Sequence, residues 1–324
     1  MNVMASSLTG KVCLVTGASR GIGRGIALQL GEAGATVYIT GRTLKPKSDD
    51  TSEKQRSLLN TAEEIEARGG KCTPVQCDHS DDEQVQELFD RINKEQNGRL
   101  DLLVNNAYAG VKDIMDNMGK PFWETPSSVW DSVNNVGLRG HYIATWHAAK
   151  MMAPVKQGLI VNISSAGGIG YLFNVAYGVG KAGCDRMAAD CAIELRKHNV
   201  ACISLWPGAV KTEMFQEFSA SDKFKSMATG LQVAFENGES VEYAGKAIVH
   251  LLQDKNIMKK SGRVLLTAEL AGEYGFQDID GTSPVNFRQI KSLFVVTGHP
   301  WLAAITPSFV KLPYWLWTAS SSKF

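Results

Sequence analysis

Tyr177 and Lys181 stand four residues apart in the segment AYGVGKAG. On a helix that spacing sets both side chains on one face. An ammonium group beside a phenol favours the phenolate, which otherwise forms only near pH ~10. A phenol so placed can trade a proton with a carbonyl or alcohol oxygen close to neutral pH. A tyrosine and a lysine at this spacing also occur as ordinary surface pairs, so the company they keep matters. NISS (162–165) precedes them at the end of one apolar run, and WPG (206–208) closes the next. Ligand sites of open α/β sheets lie at such carboxyl ends of strands.

A second constellation opens the chain. The first apolar run leads into TGASRGIG, residues 16–23. In such a turn Gly17 permits the bend, Gly21 lets backbone approach a pyrophosphate, and Gly23 allows close helix–strand packing. The helix that follows would offer free N–H groups and a positive dipole end to phosphate. The second run ends TVYITGR. A site for NAD usually has an acidic residue here to grip the ribose 2′-hydroxyl. This chain has Gly41 and Arg42 instead. A guanidinium there suits a 2′-phosphate, and Arg20 in the glycine turn can join it, so the pattern points to NADP(H). The alternative is a pair of solvated surface arginines. Asp78, ending the third run, reads either as an adenine-edge contact or as a helix N-cap before DDEQVQ.

These residues need a scaffold, and the hydrophobic pattern supplies one. Residues 11–16, 36–40, 71–76, 101–104, 158–163, 201–206 and 263–267 read as strands. They are continuously apolar rather than alternating, which implies burial on both faces of a parallel sheet. Helical periodicity fills 21–33, 83–93, 177–196 and 240–252. The alternation predicts a Rossmann-like, doubly wound α/β fold. Residues 43–52 read as a polar loop and 107–127 as an irregular excursion above the sheet. Residues 1–280 are expected to form one domain with a built-in substrate site, and 281–324 an apolar, aromatic appendage.

Composition narrows the partners. Lys+Arg is 34 against Asp+Glu 33, a net charge of +1, which gives no reason to expect a nucleic-acid partner. The six cysteines form no CxxC pair and read as reduced, buried thiols. His141 and His147, six apart in a helical stretch, do not share a face; they read as packing or surface residues, with no metal site. Cys184 and Cys191 read as core filling. The start lacks the basic and long apolar regions of a secretory signal.

TGASRGIG, NNAYAG (105–110), ISS, YGVGK and PGAVKT (207–212) follow the order of the short-chain dehydrogenase/reductase family, which the chain resembles over roughly residues 8–270. The resemblance implies that Tyr177 is the acid/base, that Lys181 binds the nicotinamide ribose and tunes Tyr177, and that a serine polarises the substrate carbonyl. Contacts to the cofactor are implied for Gly17, Ser19, Arg20, Gly21, Ile22, Gly23, Arg42, Asp78, Asn105, Ala107, Tyr177, Lys181, Pro207, Gly208, Val210 and Thr212. Two departures stand out. Counting back from Tyr177 selects Ser164 as the serine, whereas aligning the strand end selects Ser165. We take Ser165, because a loop deletion is easier than a register shift that turns a side chain over. The family's helix asparagine falls on Gly137, with Asn135 two positions earlier, which leaves the proton relay through that residue's carbonyl in question. The resemblance further implies reduction of lipophilic ketones such as steroids, prostaglandins or xenobiotics. Its competitors are alcohol oxidation in vivo and a cofactor-binding scaffold without turnover. Met214, Phe215, Phe218, Phe224 and Met227 fall where the family has a mobile substrate lid. A homo-oligomer is a further expectation.

The tail poses a separate question. Residues 292–317 are long enough to cross a bilayer, which takes ~20 residues, but Gly298, His299, Pro300, Pro307, Lys311 and Pro313 interrupt them. Trp301, Tyr314, Trp315 and Trp317 are headgroup-level residue types. Arg288, Lys291, Lys311 and Lys323 add positive charge with no acid after Gly281. The reading is peripheral membrane contact through 288–324, and the resemblance implies that the membrane is the endoplasmic reticulum, met on its cytoplasmic face. The alternatives are a cytoplasmic protein whose tail covers the pocket or a subunit partner, and a peroxisomal one addressed by Ser322-Lys323-Phe324.

Overall fold

The computed structural model describes residues 7–46, 56–219 and 229–313, together with 315, 316 and 319. Seven strands, β1 (Val12–Val15), β2 (Thr36–Gly41), β3 (Lys71–Gln76), β4 (Leu102–Asn105), β5 (Gly158–Ile163), β6 (Val200–Trp206) and β7 (Val264–Leu266), form one sheet in the order 3-2-1-4-5-6-7. Every pairing is parallel. This is the doubly wound α/β arrangement expected, and the predicted strand ends differ from the observed ones by no more than one residue. The chain order reverses between β1 and β4, and the crevice outside their carboxyl ends is where such sheets bind ligands.

The helices are α1 (Gly21–Glu32), α2 (Leu58–Ala67), α3 (Asp82–Glu95), α4 (Val111–Asp116), α5 (Ser128–Asn134), α6 (His141–Val155), α7 (Val175–Leu195), α8 (Glu213–Ser219), α9 (Thr229–Glu236), α10 (Tyr243–Gln253), α11 (Thr267–Tyr274), α12 (Ile290–Val296) and α13 (Pro300–Ile305). The continuous apolar strands are explained by two cores. Cys13 and Val15 of β1 pack with Ile26, Leu30, Ile65 and Ile248 on one face. Val12 and Leu14 pack with Leu88, Phe89, Ile92 and Met152 on the other. Burying one such Leu or Ile side chain contributes ~1.5–3 kcal/mol, so both faces anchor the strand ends that carry the site.

The stretch 107–127 is less irregular than expected, since it contains α4 and a short 3₁₀ turn, Phe122–Glu124. Asp81, not Asp78, caps α3: its Oδ1 accepts from the N–H groups of Glu83 at 3.0 Å and Gln84 at 3.2 Å. The tail folds back on itself through a bridge between Gln289 and Lys311. Its basic charge meets an acid from another element: Arg288 and Lys311 reach Glu269 Oε2 of α11 at 2.9 and 3.0 Å. Trp301, Ile305, Phe309 and Trp315 remain exposed. Among the described residues, no helix is long and apolar enough to cross a membrane. Phe224, Met227, Tyr314, Trp317, Lys323 and the terminal Ser322–Phe324 lie outside the described residues.

Candidate active site

A cleft of about 540 Å³ opens over the carboxyl ends of the strands. Of the residues singled out from the sequence, Gly17, Ser19, Arg20, Gly21, Ile22, Gly41, Arg42, Asp78, Ala107, Ser164, Ser165, Tyr177, Lys181, Pro207, Gly208, Thr212 and Met214 line it. Gly23, Asn105 and Val210 do not. Asn105 is fully buried, and its amide donates to Thr145 Oγ1 at 2.9 Å and to Asn162 Oδ1 at 2.8 Å. The neighbouring Asn106 reaches the cleft and donates to the carbonyls of Thr16 and Gly17 at 2.9 and 3.0 Å, fixing the glycine turn. Gly17 itself has φ +68, and a Cβ there would lie 2.6 Å from Ala107 Cα, so the turn admits no side chain. Val210 is buried and bridges to Glu239.

At one end of the cleft stand the catalytic candidates. Asn174 caps α7 by accepting from the Tyr177 N–H at 2.9 Å, which fixes Tyr177 in the first turn. Its phenol oxygen lies 2.8 Å from Ser165 Oγ. Ser165 sits just beyond β5 and also accepts from the Gly167 N–H at 3.1 Å. Ser164 also borders the cleft, but it is buried and its hydroxyl donates to the Lys181 carbonyl at 3.1 Å rather than meeting Tyr177. The strand-end alignment therefore selects the serine that meets the tyrosine. Lys181 is buried, and its Nζ donates to the Ile163 carbonyl at 2.9 Å. The same ammonium lies 5.0 Å from the ring centre of Tyr108, within cation–π range.

Tyr108 and Phe173 had no assigned role in the sequence, yet both line the cleft. Their rings meet Tyr177 edge-on at 6.3 and 5.1 Å. Phe173 holds φ +62, a conformation uncommon for a bulky residue, and its packing against Tyr177 must support it. Tyr108 also explains Gly137. A Cβ on Gly137 would come within 2.5 Å of the Tyr108 ring. The Gly137 carbonyl, expected to face the lysine relay, accepts instead from Cys184 Sγ at 3.3 Å. The asparagine that reaches the catalytic helix is Asn134, where α5 passes into a π-helical turn, Asn135–Gly140. Its buried amide donates to the Ala176 carbonyl at 3.2 Å. Nearby, burial and the Lys181 charge push the His141 imidazole down to about 3. Neutral His141 donates from Nε2 to the Ala107 carbonyl at 3.0 Å and holds the cleft floor.

The far end of the cleft is charged. Arg20, Arg42 and Arg56 converge there beside Ser19, Thr43 and Asp78. Desolvation in the cleft, followed by repulsion from Arg56, pushes the Arg20 guanidinium below its usual value, with Arg42 adding to the effect. Arg56, from the turn before α2, was not singled out from the sequence because no motif marks it. Glu213 Oε2 accepts from the Gly21 N–H at 3.0 Å, and Glu217 pairs with Arg56. Asp78 accepts from the Ser80 N–H and hydroxyl at 3.0 and 2.7 Å and keeps its place on the cleft wall. A glycine turn too tight for a Cβ, followed by a helix N-terminus and three guanidiniums, fits a phosphorylated dinucleotide.

Comparison with known proteins agrees with this geometry. The chain is 50% identical over 324 residues to the human protein named dehydrogenase/reductase SDR family member 1, covering 99% of this chain and 100% of that one. The mouse protein of the same name is 50% identical over 328 residues, with the same coverage. A metagenomic short-chain oxidoreductase, solved in complex with NADP, superposes with a TM-score of 0.61 at 29% identity, covering 81% of this chain and 98% of that one. The family profile described as short chain dehydrogenase matches residues 11–223. With the parallel sheet, the glycine turn and the serine–tyrosine–lysine corner, these matches show that the chain belongs to the short-chain dehydrogenase family, whose members are NAD(P)-dependent oxidoreductases.

Proposed function

We propose that this oxidoreductase reduces lipophilic carbonyl compounds with NADPH. One observation carries the reading: the Ser165–Tyr177 contact of 2.8 Å stands in the same cleft as the Arg20–Arg42–Arg56 cluster. NADPH would supply the hydride, held by Gly17, Ser19, Gly21, Ile22, Arg20, Arg42 and Thr212. The protein's own part is proton transfer and positioning. Tyr177 Oη donates its proton to the substrate carbonyl oxygen as negative charge develops there. Ser165 Oγ donates a second hydrogen bond to the same oxygen. Lys181 stabilises the resulting phenolate with its buried ammonium and shares its remaining N–H groups with the nicotinamide ribose. Ile114, Met115, Val136, Phe173 and Met214 give the cleft an apolar wall, which supports a lipophilic substrate. The same groups run in reverse for alcohol oxidation. The NADP held by the metagenomic relative supports the choice of cofactor.

The test is NADPH oxidation by the purified protein across a panel of steroid, prostaglandin and aromatic ketones. Turnover with at least one apolar ketone, and less with small polar aldehydes, is expected. Cofactor binding with no turnover on any ketone, and no alcohol oxidation with NADP, would favour the scaffold reading instead.

The exposed Trp301, Ile305, Phe309 and Trp315 support the proposal that the tail contacts a membrane surface, on the cytoplasmic side of the endoplasmic reticulum. Glu269 offsets part of the basic charge, so apolar contact must dominate over attraction to anionic lipid. Exposed Tyr142 and Trp146 on α6, with Val179 and Ile193 on α7, support self-association. Flotation with neutral vesicles and sedimentation of the full chain check the two.

A further inference from the structure

Helix α8 carries two carboxylates one turn apart, Glu213 and Glu217, and each rests on a group that a dinucleotide would claim. Glu213 accepts from the Gly21 N–H, the first amide of α1, at 3.0 Å. That amide belongs to the set that binds pyrophosphate in this fold class. Thr212, immediately before Glu213, places its methyl 3.5 Å from the Cβ position of Gly21, so the start of α8 lies directly on the glycine turn. Glu217 is paired with Arg56, one of the three guanidiniums at the adenosine end. The spacing puts both carboxylates on one face of α8. The helix thus spans the interval between the pyrophosphate and 2′-phosphate positions with a negative charge at each.

We propose that Glu213 and Glu217 are internal stand-ins for the cofactor's two anionic groups, so that α8 is released differently by NADPH and by NADH, with Glu217 offsetting part of the affinity for NADPH. The proposal rests on the NADP(H) reading. One N–H cannot serve two anions, so a pyrophosphate must displace Glu213 whichever cofactor arrives. Only a cofactor with a 2′-phosphate competes with Glu217 for Arg56. NADH therefore frees one end of α8 and leaves the other tethered, whereas NADPH frees both. Met214 of the same helix lines the cleft and belongs to the apolar wall assigned above to the substrate, so the identity of the cofactor would reach that wall.

The experiment is calorimetric measurement of the dissociation constants of NADPH and NADH for wild type, Glu213→Gln, Glu217→Gln, Arg56→Gln and the Arg56→Gln/Glu217→Gln double variant. Glu217→Gln should tighten NADPH about two- to fivefold, the range of an exposed ion pair, and leave NADH unchanged. Glu213→Gln should tighten both cofactors by the same factor. In the Arg56→Gln background the effect of Glu217→Gln should vanish, because the carboxylate acts through that guanidinium. A Glu217→Gln effect equal for the two cofactors, absent for NADPH, or surviving without Arg56 would overturn the proposal. Equal wild-type affinity for NADPH and NADH would instead overturn the NADP(H) reading beneath it, and the two failures are separately visible in one data set.

Discussion

The two ends of the cleft are built on opposite principles. At the catalytic end, hydrogen bonds to main chain hold three of the groups: Tyr177 through its N–H and Asn174, Lys181 through the Ile163 carbonyl, His141 through the Ala107 carbonyl. Ser165 is held by the Gly167 N–H and by Tyr177 itself. At the charged end, three like-charged guanidiniums face one another, with Glu213 and Glu217 from α8 as counter-charges. The catalytic end is preorganised and neutral around a single ammonium. The charged end is held by ion pairs that a ligand can rearrange. A fixed constellation suits proton transfer, which needs geometry within a few tenths of an ångström, and an exchangeable one suits a cofactor that must enter and leave.

The difference predicts how each end breaks. The largest effect belongs to Tyr177→Phe. Losing a positioned acid costs about 10²–10⁴ in turnover, and the NADPH dissociation constant should stay within about twofold, because the hydroxyl faces the substrate oxygen. Stopped-flow turnover beside equilibrium binding measures both. A variant that keeps most of its kcat would move the acid/base role elsewhere.

Ser165→Ala comes next. A lost hydrogen-bond donor at a developing oxyanion costs about 10²–10³ in kcat. Ser164→Ala removes a buried bond to the Lys181 carbonyl and a contact to the Asp185 carboxylate, neither of which touches the Tyr177 hydroxyl, so its main effect should be on thermal stability, by about 1 kcal/mol or more. Comparing kcat and melting temperature for the pair separates the roles; a greater loss of kcat at Ser164 contradicts the geometry.

At the charged end single losses should be graded. Arg42 is exposed, so Arg42→Ala should weaken NADPH by only about fivefold. Removing Arg20 and Arg56 as well should compound that loss and bring NADPH to the affinity of NADH. Binding titrations across the series show whether the cluster acts together. A triple variant that still prefers NADPH would place the 2′-phosphate elsewhere.

The smallest effect concerns Glu239, packed against Gly208 of the cleft lining. It is fully buried, accepts from the Gly208 N–H at 2.8 Å, and is also bonded by the Thr267 hydroxyl. Burial raises its carboxyl from 4.5 to about 8. A carboxyl whose folded value is raised favours the fold when protonated, so its contribution is present below 4.5 and lost as pH rises through about 8. The melting temperature of the wild type should decline over that interval, and Glu239→Gln should flatten the decline. Parallel profiles for the two proteins would show that Glu239 ionises normally.

The two ends were also unequally legible in the sequence. Tyr177 and Lys181 are one helical turn apart, and the strands other than the half-buried edge strand β3 are largely apolar runs, so local pattern sufficed for both. Ser165 needed only the recognition that β5 ends where its neighbours end. Asn105 does not line the cleft: two adjacent asparagines look alike in sequence, while only the second, beyond the strand, reaches it. Gly137 was aligned on a local motif, and the π-helical turn that brings Asn134 to α7 has no signature of that kind. Arg56, Glu213 and Glu217 meet only in space, across separations such as the 161 residues between Arg56 and Glu217. Periodicity says nothing about which surface charges converge. The same applies to Glu269, which meets Arg288 and Lys311 of a tail that contains no acid of its own.

The central claim is hydride transfer from the cofactor to a substrate carbonyl under proton donation by Tyr177. The most direct measurement follows deuterium from NADPH labelled at the nicotinamide transfer position into the product of a turned-over lipophilic ketone, with mass spectrometry locating the label. The account predicts deuterium on the carbinol carbon, a hydroxyl proton drawn from solvent, and labelled product formed about 10²–10⁴ times more slowly with Tyr177→Phe. Alcohol formed without deuterium on carbon, or labelled product at the wild-type rate from Tyr177→Phe, would contradict it.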